Sequence, residues 1–196
     1  MIAIVDYRAG NLVSVKKAVD HLGFACAITS DPMVVERAEK IIVPGVGHFA
    51  ATSALDSSGL RSAITGAIDR QIPFFGICVG MQWMFAASEE APGVSGLGVF
   101  PGECAHFPQE VKAPHVGWNQ LEVKDGSRLL RGVPSGAFVY FTHSYRAPLV
   151  AETVACCNYG GAFSAAVERE HLFGAQFHPE KSGDAGLTML ENFCRL

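Results

Sequence analysis

The sequence has no long hydrophobic run. Its longest apolar stretches are short and broken, as in Ile72-Pro73-Phe74-Phe75-Gly76-Ile77, against about 20 consecutive apolar residues for a membrane-spanning helix. The start, Met1 to Asp6, has no basic leader, long apolar run or cleavage site. It reads as a first strand rather than a signal peptide, so a cytoplasmic location is the default expectation. Charge is scarce: 17% of residues are Asp, Glu, Lys or Arg, below the ~25% of an average domain. A disordered chain would be rich in charge and poor in apolar residues. Basic excess is missing too. Lys plus Arg is 15 against 19 Asp plus Glu, a net charge of −4, which leaves no electrostatic footprint for nucleic acid. No C-x-x-C pair occurs, nor two histidines three to five residues apart, so no structural zinc site and no cofactor is expected. The six cysteines (Cys26, Cys78, Cys104, Cys156, Cys157 and Cys194) are scattered rather than spaced as a disulfide framework. Each alone reads as a small buried hydrophobe.

What is present is apolar: 49% of 196 residues. The length fits a single domain over residues 1–196. The apolar content calls for a sizeable core or a covered partner face. Ile2–Asp6, Phe24–Thr29, Lys40–Val43 and Pro73–Ile77 read as strands, the third ending at Pro44-Gly45-Val46-Gly47. Apolar residues at helical spacing predict helices over Asn11–Leu22, Leu60–Arg70 and Val79–Ala87. Ser30-Asp31-Pro32 reads as a turn and helix start. Strand–helix alternation with strands apolar throughout predicts a parallel sheet flanked by helices. The second half predicts strands at Leu97–Phe100, Glu103–Phe107, Asn119–Lys124, Phe138–Phe141, Val154–Asn158, Phe163–Arg169 and Leu172–Phe177, separated by Gly/Pro/Ser turns. A helix over Ala185–Arg195 closes the chain. The expected fold is α/β, with a mostly parallel sheet and an antiparallel extension.

Gly76-Ile77-Cys78-Val79-Gly80 is G-x-C-x-G at a strand-to-helix junction, the setting in which G-x-S-x-G forms a nucleophile elbow. A sharp turn lifts the nucleophile above the sheet edge, and the glycines let neighbouring backbone come close. A thiol nucleophile needs a base and an orienting group, and His178-Pro179-Glu180 supplies both types. In an extended segment side chains two apart point the same way, so Glu180 could hold one nitrogen of His178 while the other faces Cys78. The alternative is a surface His and Glu in a turn. Pro44-Gly45-Val46-Gly47 follows a strand and could aim an N–H at a reacting carbonyl, with Val79 offering a second.

Together these motifs resemble the class I (triad) glutamine amidotransferases, which have a flavodoxin-like sheet. Within that family they resemble the glutaminase subunits that serve a cyclase in histidine biosynthesis. Asp6-Tyr7-Arg8-Ala9-Gly10-Asn11 is similar to a D-Y-G-x-G-N opening. Pro44–Gly47 is similar to the oxyanion strand, and Gly76–Gln82 to the nucleophile motif. Pro114–Asn119 and Tyr140–Arg146 are similar to two subunit blocks, and Gly174–Ser182 to the His/Glu block. The resemblance spans essentially the whole chain. It implies Cys78 as nucleophile, His178 as base and acid, Glu180 as its orienter, and backbone N–H groups of Val46 and Val79 as oxyanion donors. Gly47, Gln82, His143, Ser144 and Tyr145 would hold glutamine. Ammonia would pass to a (β/α)8-barrel cyclase subunit that makes imidazole glycerol phosphate and aminoimidazole carboxamide ribotide. Asn11, Trp118, Asn119, Tyr140 and Lys181 would lie near that partner; for Trp118 and Tyr140 the alternative is burial in this chain's own core. Arg8 departs from the usual glycine of the opening, and His48 from the small residue often found after the oxyanion strand. A related subunit feeding a surface-sugar amidating partner, or a non-catalytic regulatory module, would share the fold; the intact Cys78, His178, Glu180 set argues against the module.

Overall fold

The apolar runs of the N-terminal half all enter one sheet. In the computed structural model, which describes residues 1–196, β1 (Ile2–Val5) is followed by α1 (Leu12–His21), β2 (Cys26–Thr29), α2 (Pro32–Glu36), β3 (Lys40–Gly45), α3 (Ser53–Ser57), α4 (Leu60–Asp69), β4 (Phe74–Cys78) and α5 (Val79–Trp83). The second half adds β5 (Ala87–Ser88), β6 (Glu103–His106), β7 (His115–Gln120), β8 (Glu122–Val123), β9 (Phe138–His143), β10 (Tyr145–Arg146), β11 (Thr153–Asn158), β12 (Ala162–Arg169), β13 (Leu172–Ala175) and α6 (Gly183–Arg195).

The main sheet has the order β2-β1-β3-β4-β13-β12-β11-β8. β2, β1, β3, β4 and β13 are mutually parallel. β12, β11 and β8 then continue antiparallel. The expected architecture is therefore observed. β7 and β9 form a separate antiparallel pair, and β10, β6 and β5 a small third sheet. Strands β1 and β4 are buried along their whole length, as the two-sided cover of a parallel sheet requires. One continuous apolar core joins them to the helices and to the antiparallel strands. Phe193 of α6 packs on Phe75 of β4, 5.2 Å between ring centroids, and on Phe173 of β13 at 5.9 Å. No helix is long and apolar enough to cross a membrane.

Four local expectations are corrected. The helix expected over Val79–Ala87 stops at Trp83. The backbone N–H groups of Leu97, Gly98 and Phe100 donate to the carbonyls of Trp83, Phe85 and Met84. This loop thus satisfies the carbonyls that another helical turn would have used, and for the same reason Leu97–Phe100 is not a strand. The strand expected over Asn119–Lys124 splits at Leu121, which is buried; β7 pairs with β9 while β8 joins the main sheet. Finally, β3 does not end at Val43. Pro44 and Gly45 stay in register opposite Ile77 and Cys78, although proline usually argues against a central strand.

The glycines around Cys78 are required by close approach. A Cβ on Gly80 would run into the carbonyl oxygen of Val43, and one on Gly76 would meet the Gly80 carbonyl. Both contacts are with backbone, which cannot swing away. Gly80→Ala is therefore expected to cost about 3 kcal/mol of stability, read as a lowered midpoint in urea unfolding. An unchanged midpoint would contradict the close packing of α5 on β3.

Candidate active site

Cys78 is the last residue of β4 and the residue from which α5 starts. Its φ of 54° and ψ of −111° lie outside the regions a non-glycine residue ordinarily occupies. Such strain costs roughly 1–3 kcal/mol and persists only where surrounding structure imposes it. The surroundings here are the glycine contacts just described and the parallel neighbours of β4.

One of those neighbours carries the candidate base. β13 is the last strand in sequence, yet it lies beside β4 with Ala175 opposite Ile77. Continuing that line brings Gln176, Phe177 and His178 past the elbow. His178 is buried. Its Nδ1 lies 2.9 Å from Glu180 Oε1, and the Glu180 side chain is fully buried. Its Nε2 is buried without a hydrogen-bond partner, and Cys78 lies close enough to act on the ring. Burial disfavours a charged ring. Contact with Cys78, the hydrogen bond to Glu180 and the negative charge of both outweigh it, pushing His178 up to about 10. The geometry differs from the expected one in one respect: Pro179–Lys181 is a 3-10 turn, not an extended segment, and Glu180 reaches His178 by folding back within that turn.

The turn is clamped. The Ser182 hydroxyl donates to the His178 carbonyl (2.6 Å) and accepts from the Tyr140 N–H (3.0 Å), while the His178 N–H donates to the Tyr140 carbonyl (2.9 Å). Asn11 adds a further hold. It is the residue before α1 but makes no side-chain cap; its Nδ2 donates instead to Glu180 Oε1 at 3.2 Å. Forgoing that cap costs about 1 kcal/mol. Asn11, expected at the partner face, thus supports the catalytic carboxylate.

Gln82 and Gln176 line the other side of the sulfur. Gln82 Nε2 donates to the Tyr145 carbonyl (2.8 Å) and to Gln176 Oε1 (3.1 Å), and Gln176 Nε2 donates to Cys78 Sγ (3.8 Å). The Thr142 carbonyl lies 3.9 Å from the same sulfur. Of the expected substrate residues, Gln82 and Tyr145 therefore flank the site, Tyr145 by its backbone carbonyl at the start of β10, while Ser144 lies between β9 and β10 with its carbonyl accepting from the Phe107 N–H. Gly47 is exposed at the far end of the loop after β3, with φ 99°. Val46 follows Gly45, which lies opposite Cys78, and Val79 is the first residue of α5.

Two expectations turn inward. His143 is buried with Nδ1 on the Tyr145 carbonyl (2.8 Å) and Nε2 on His115 Nδ1 (3.2 Å). Neither ring nitrogen is free for glutamine. Burial first, then neighbouring positive charge, pushes its pKa down to about 3, against a smaller upward pull from that carbonyl; burial also pushes His115 to about 4. Asn119 Nδ2 faces His115 Nε2 and the Asn158 carbonyl, both at 3.3 Å, and its Oδ1 accepts from the Gln120 N–H. Its side chain is spent inside the subunit rather than offered to a partner. Trp118, by contrast, is 56% exposed, and Tyr140 is half-buried beside it with ring centroids 6.1 Å apart. Lys181 Nζ lies 5.7 Å from the Tyr140 ring centroid.

The departures resolve locally. Arg8 takes a left-handed φ of 67° where glycine would be free to, and its N–H donates to Asp6. His48 accepts from the Ala50 N–H and caps the short turn over Phe49–Thr52. Two residues beside the nucleophile carried no expected role. One is Gln176. The period-two argument that led forward from His178 to Glu180 leads equally well backward to it. The other is Tyr7, whose buried hydroxyl has no partner and sits against Gly45; burial, then the nearby Cys78, holds its phenol well above the usual range. No spacing rule points to Tyr7.

A strained thiol, a buried histidine on its far side and a carboxylate behind that histidine form the constellation of acyl transfer through a thioester. The comparisons place the chain accordingly. A family model described as glutamine amidotransferase class-I matches residues 3–196, and the chain belongs to that family. By fold it resembles a solved glutamine amidotransferase (18% identical, all of both chains, TM-score 0.78) and the PurLQS structure from Thermotoga maritima (18% identical, 99% of this chain and 97% of that one, TM-score 0.74). Its full-length relatives bear a narrower name. Imidazole glycerol phosphate synthase subunit HisH of Moorella thermoacetica is 46% identical, with 100% of this chain and 94% of that protein covered; the subunit of the same name from Methanothermobacter thermautotrophicus is 44% identical, with 100% and 98% covered.

The raised pKa of His178 gives a signed expectation. Its stabilising contribution is full below the unfolded value of ~6.5 and is lost as pH rises through about 10. Because Cys78 is one of the causes, the His178 imidazole in Cys78→Ala should titrate well below about 10 in an NMR pH series. A midpoint unmoved by the substitution would refute the pairing.

Proposed function

We propose that this chain is the glutaminase subunit of an imidazole glycerol phosphate synthase. It hydrolyses glutamine to glutamate and ammonia and delivers the ammonia to a cyclase subunit in histidine biosynthesis. One observation carries this reading: a buried Cys78–His178–Glu180 arrangement on a chain that matches HisH proteins end to end. We read residues 1–196 as one amidotransferase domain, working with its partner in the cytoplasm.

The geometry suggests how the steps run. The Cys78 sulfur attacks the carboxamide carbon while its proton lies on His178. The N–H groups of Val46 and Val79 receive the oxyanion in this reading. His178 then gives its proton to the departing nitrogen, which leaves as ammonia, and a thioester remains. Water attacks the thioester with His178 now taking its proton, and glutamate leaves as the sulfur recovers its electron pair. Glu180 keeps the imidazole oriented throughout, held in turn by Asn11.

The ammonia acceptor is a (β/α)8-barrel cyclase, by resemblance. Its docking face is supported by the exposed side of the β7–β9 pair. Val116, Trp118 and Phe138 are all more than half exposed, and Tyr140 lies opposite Trp118 in the register. Contiguous exposed apolar side chains of this kind mark interaction surfaces. Lys181 stands on the same face one residue beyond Glu180, so a contact made there adjoins the triad directly.

Three measurements test the reading. A glutamine-analogue electrophile should label Cys78, and Cys78→Ser should lose at least about a thousandfold of glutaminase activity; full activity without Cys78 would refute the mechanism. The chain should co-purify with the cyclase and support glutamine-dependent formation of imidazole glycerol phosphate. Trp118→Ala should weaken that complex about tenfold or more while the free subunit unfolds at its usual midpoint, since the indole is exposed. Unchanged affinity would move the interface elsewhere.

A further inference from the structure

The two glutamines beside the Cys78 sulfur are oriented by a single group that can only accept a hydrogen bond. The backbone carbonyl of Tyr145 faces the Gln82 carboxamide at 2.8 Å. A carbonyl cannot donate, so Gln82 must present its NH2 there. The second hydrogen of that NH2 points to Gln176 at 3.1 Å, so Gln176 must present its oxygen. Its own NH2 is thereby turned to Cys78 Sγ, 3.8 Å away. The reversed orientation of Gln176 would set NH2 against NH2 on one side and an oxygen lone pair against the sulfur on the other. Gln176 is completely buried and its main chain is tied to the Ala165 carbonyl, so water cannot relieve such a mismatch.

We propose that Gln176 is a further functional residue of this site: it donates an N–H to the reacting sulfur, and it positions Gln82 so that the oxygen of its carboxamide is the atom left for the substrate. Both hydrogens of Gln82 are spent within the protein, which leaves Oε1 as the side chain's only uncommitted polar atom. That oxygen suits the donors of glutamine, its ammonium or its carboxamide NH2. At the sulfur, a donor favours the charged form over the neutral one. It therefore supports the thiolate before attack and again when the thioester breaks and the sulfur recovers its electron pair. Gln82 does not touch the sulfur, yet through Gln176 it decides which atom does.

The inference rests on the glutaminase reading for its substrate half, and the test separates the two. In the full chain bound to its cyclase, site-resolved alkylation of Cys78 by iodoacetamide is followed against pH, without glutamine. Gln176→Met, which keeps bulk but removes donor and acceptor, should move the alkylation midpoint up by about one pH unit. In glutaminase assays the same variant should lower kcat about tenfold and raise KM several-fold, because Gln82 loses its fixed orientation. Gln82→Met should also raise the alkylation midpoint, although its side chain is one residue removed from the sulfur. A merely structural role for either glutamine would leave the pH profile in place. If Gln176→Met does not fold, Gln82→Met decides in the same way. An unchanged midpoint in the variant that folds overturns the proposal. Absence of any glutamine hydrolysis by the wild-type complex would instead overturn the glutaminase reading, and the alkylation result would stand apart from it.

Discussion

The parallel pairing of β13 with β4 is the constraint on which the site depends. The two strands are nearly a hundred residues apart in sequence, yet Leu172 to Ala175 lie opposite Phe74 to Ile77. That register sets Gln176 and His178 beside the elbow at Cys78. It also explains why the sheet changes direction where it does: β13 is the last parallel strand, and β12 runs antiparallel on its other edge. Gly174, in the middle of β13, lies where a Cβ would press on Met81 and Val167. The strand, the helix after the nucleophile and the antiparallel extension therefore meet with no space to shift. A slip by one residue would turn His178 to the opposite face and separate base from nucleophile.

Burial gives the site its electrostatic character. Three ionisable or polar groups are withdrawn from water here at a cost: the Tyr7 hydroxyl, the second oxygen of Glu180 and Nε2 of His178, none with a nitrogen or oxygen partner. Unsatisfied buried groups cost of the order of 1–3 kcal/mol each. His178 shows the balance most clearly. Burial alone would strip its proton, yet contact with Cys78 and Glu180 keeps it charged. His143, equally buried but facing a carbonyl and another imidazole, is pushed down to about 3. The same residue type becomes an acid–base group in one place and part of an aromatic core in the other, according to the charge of its neighbours.

Much of this was legible residue by residue. G-x-C-x-G between an apolar strand and an apolar helix marked the elbow because only glycine tolerates backbone oxygen at Cβ distance, as Gly76 and Gly80 show. His178 and Glu180 were found by spacing, though a 3-10 turn rather than an extended segment joins them. Side chains whose role depends on a distant partner were not legible. Asn11 was read as a helix start and as a residue near the partner, and only the fold brings Glu180 within reach of its amide. Asn119 and His143 had polar side chains in blocks tied to partner and substrate, but strand pairing between β7 and β9 points them at His115 and the core. The length of α5 was misjudged because a loop more than ten residues on takes up its terminal carbonyls.

The sequence by itself determined the alternation of buried strands and amphipathic helices, the glycine-flanked cysteine at a strand end, and an apolar content that called for a sizeable core or a covered partner face. These depend on local periodicity and on the size of single side chains, which a chain carries with it wherever it goes. The tertiary structure alone decided which histidine is charged, which asparagine holds the carboxylate, and which way two buried glutamines point. Those outcomes turn on the dielectric around each group and on whether its neighbour can donate or only accept, and both are set when β13 enters the sheet beside β4.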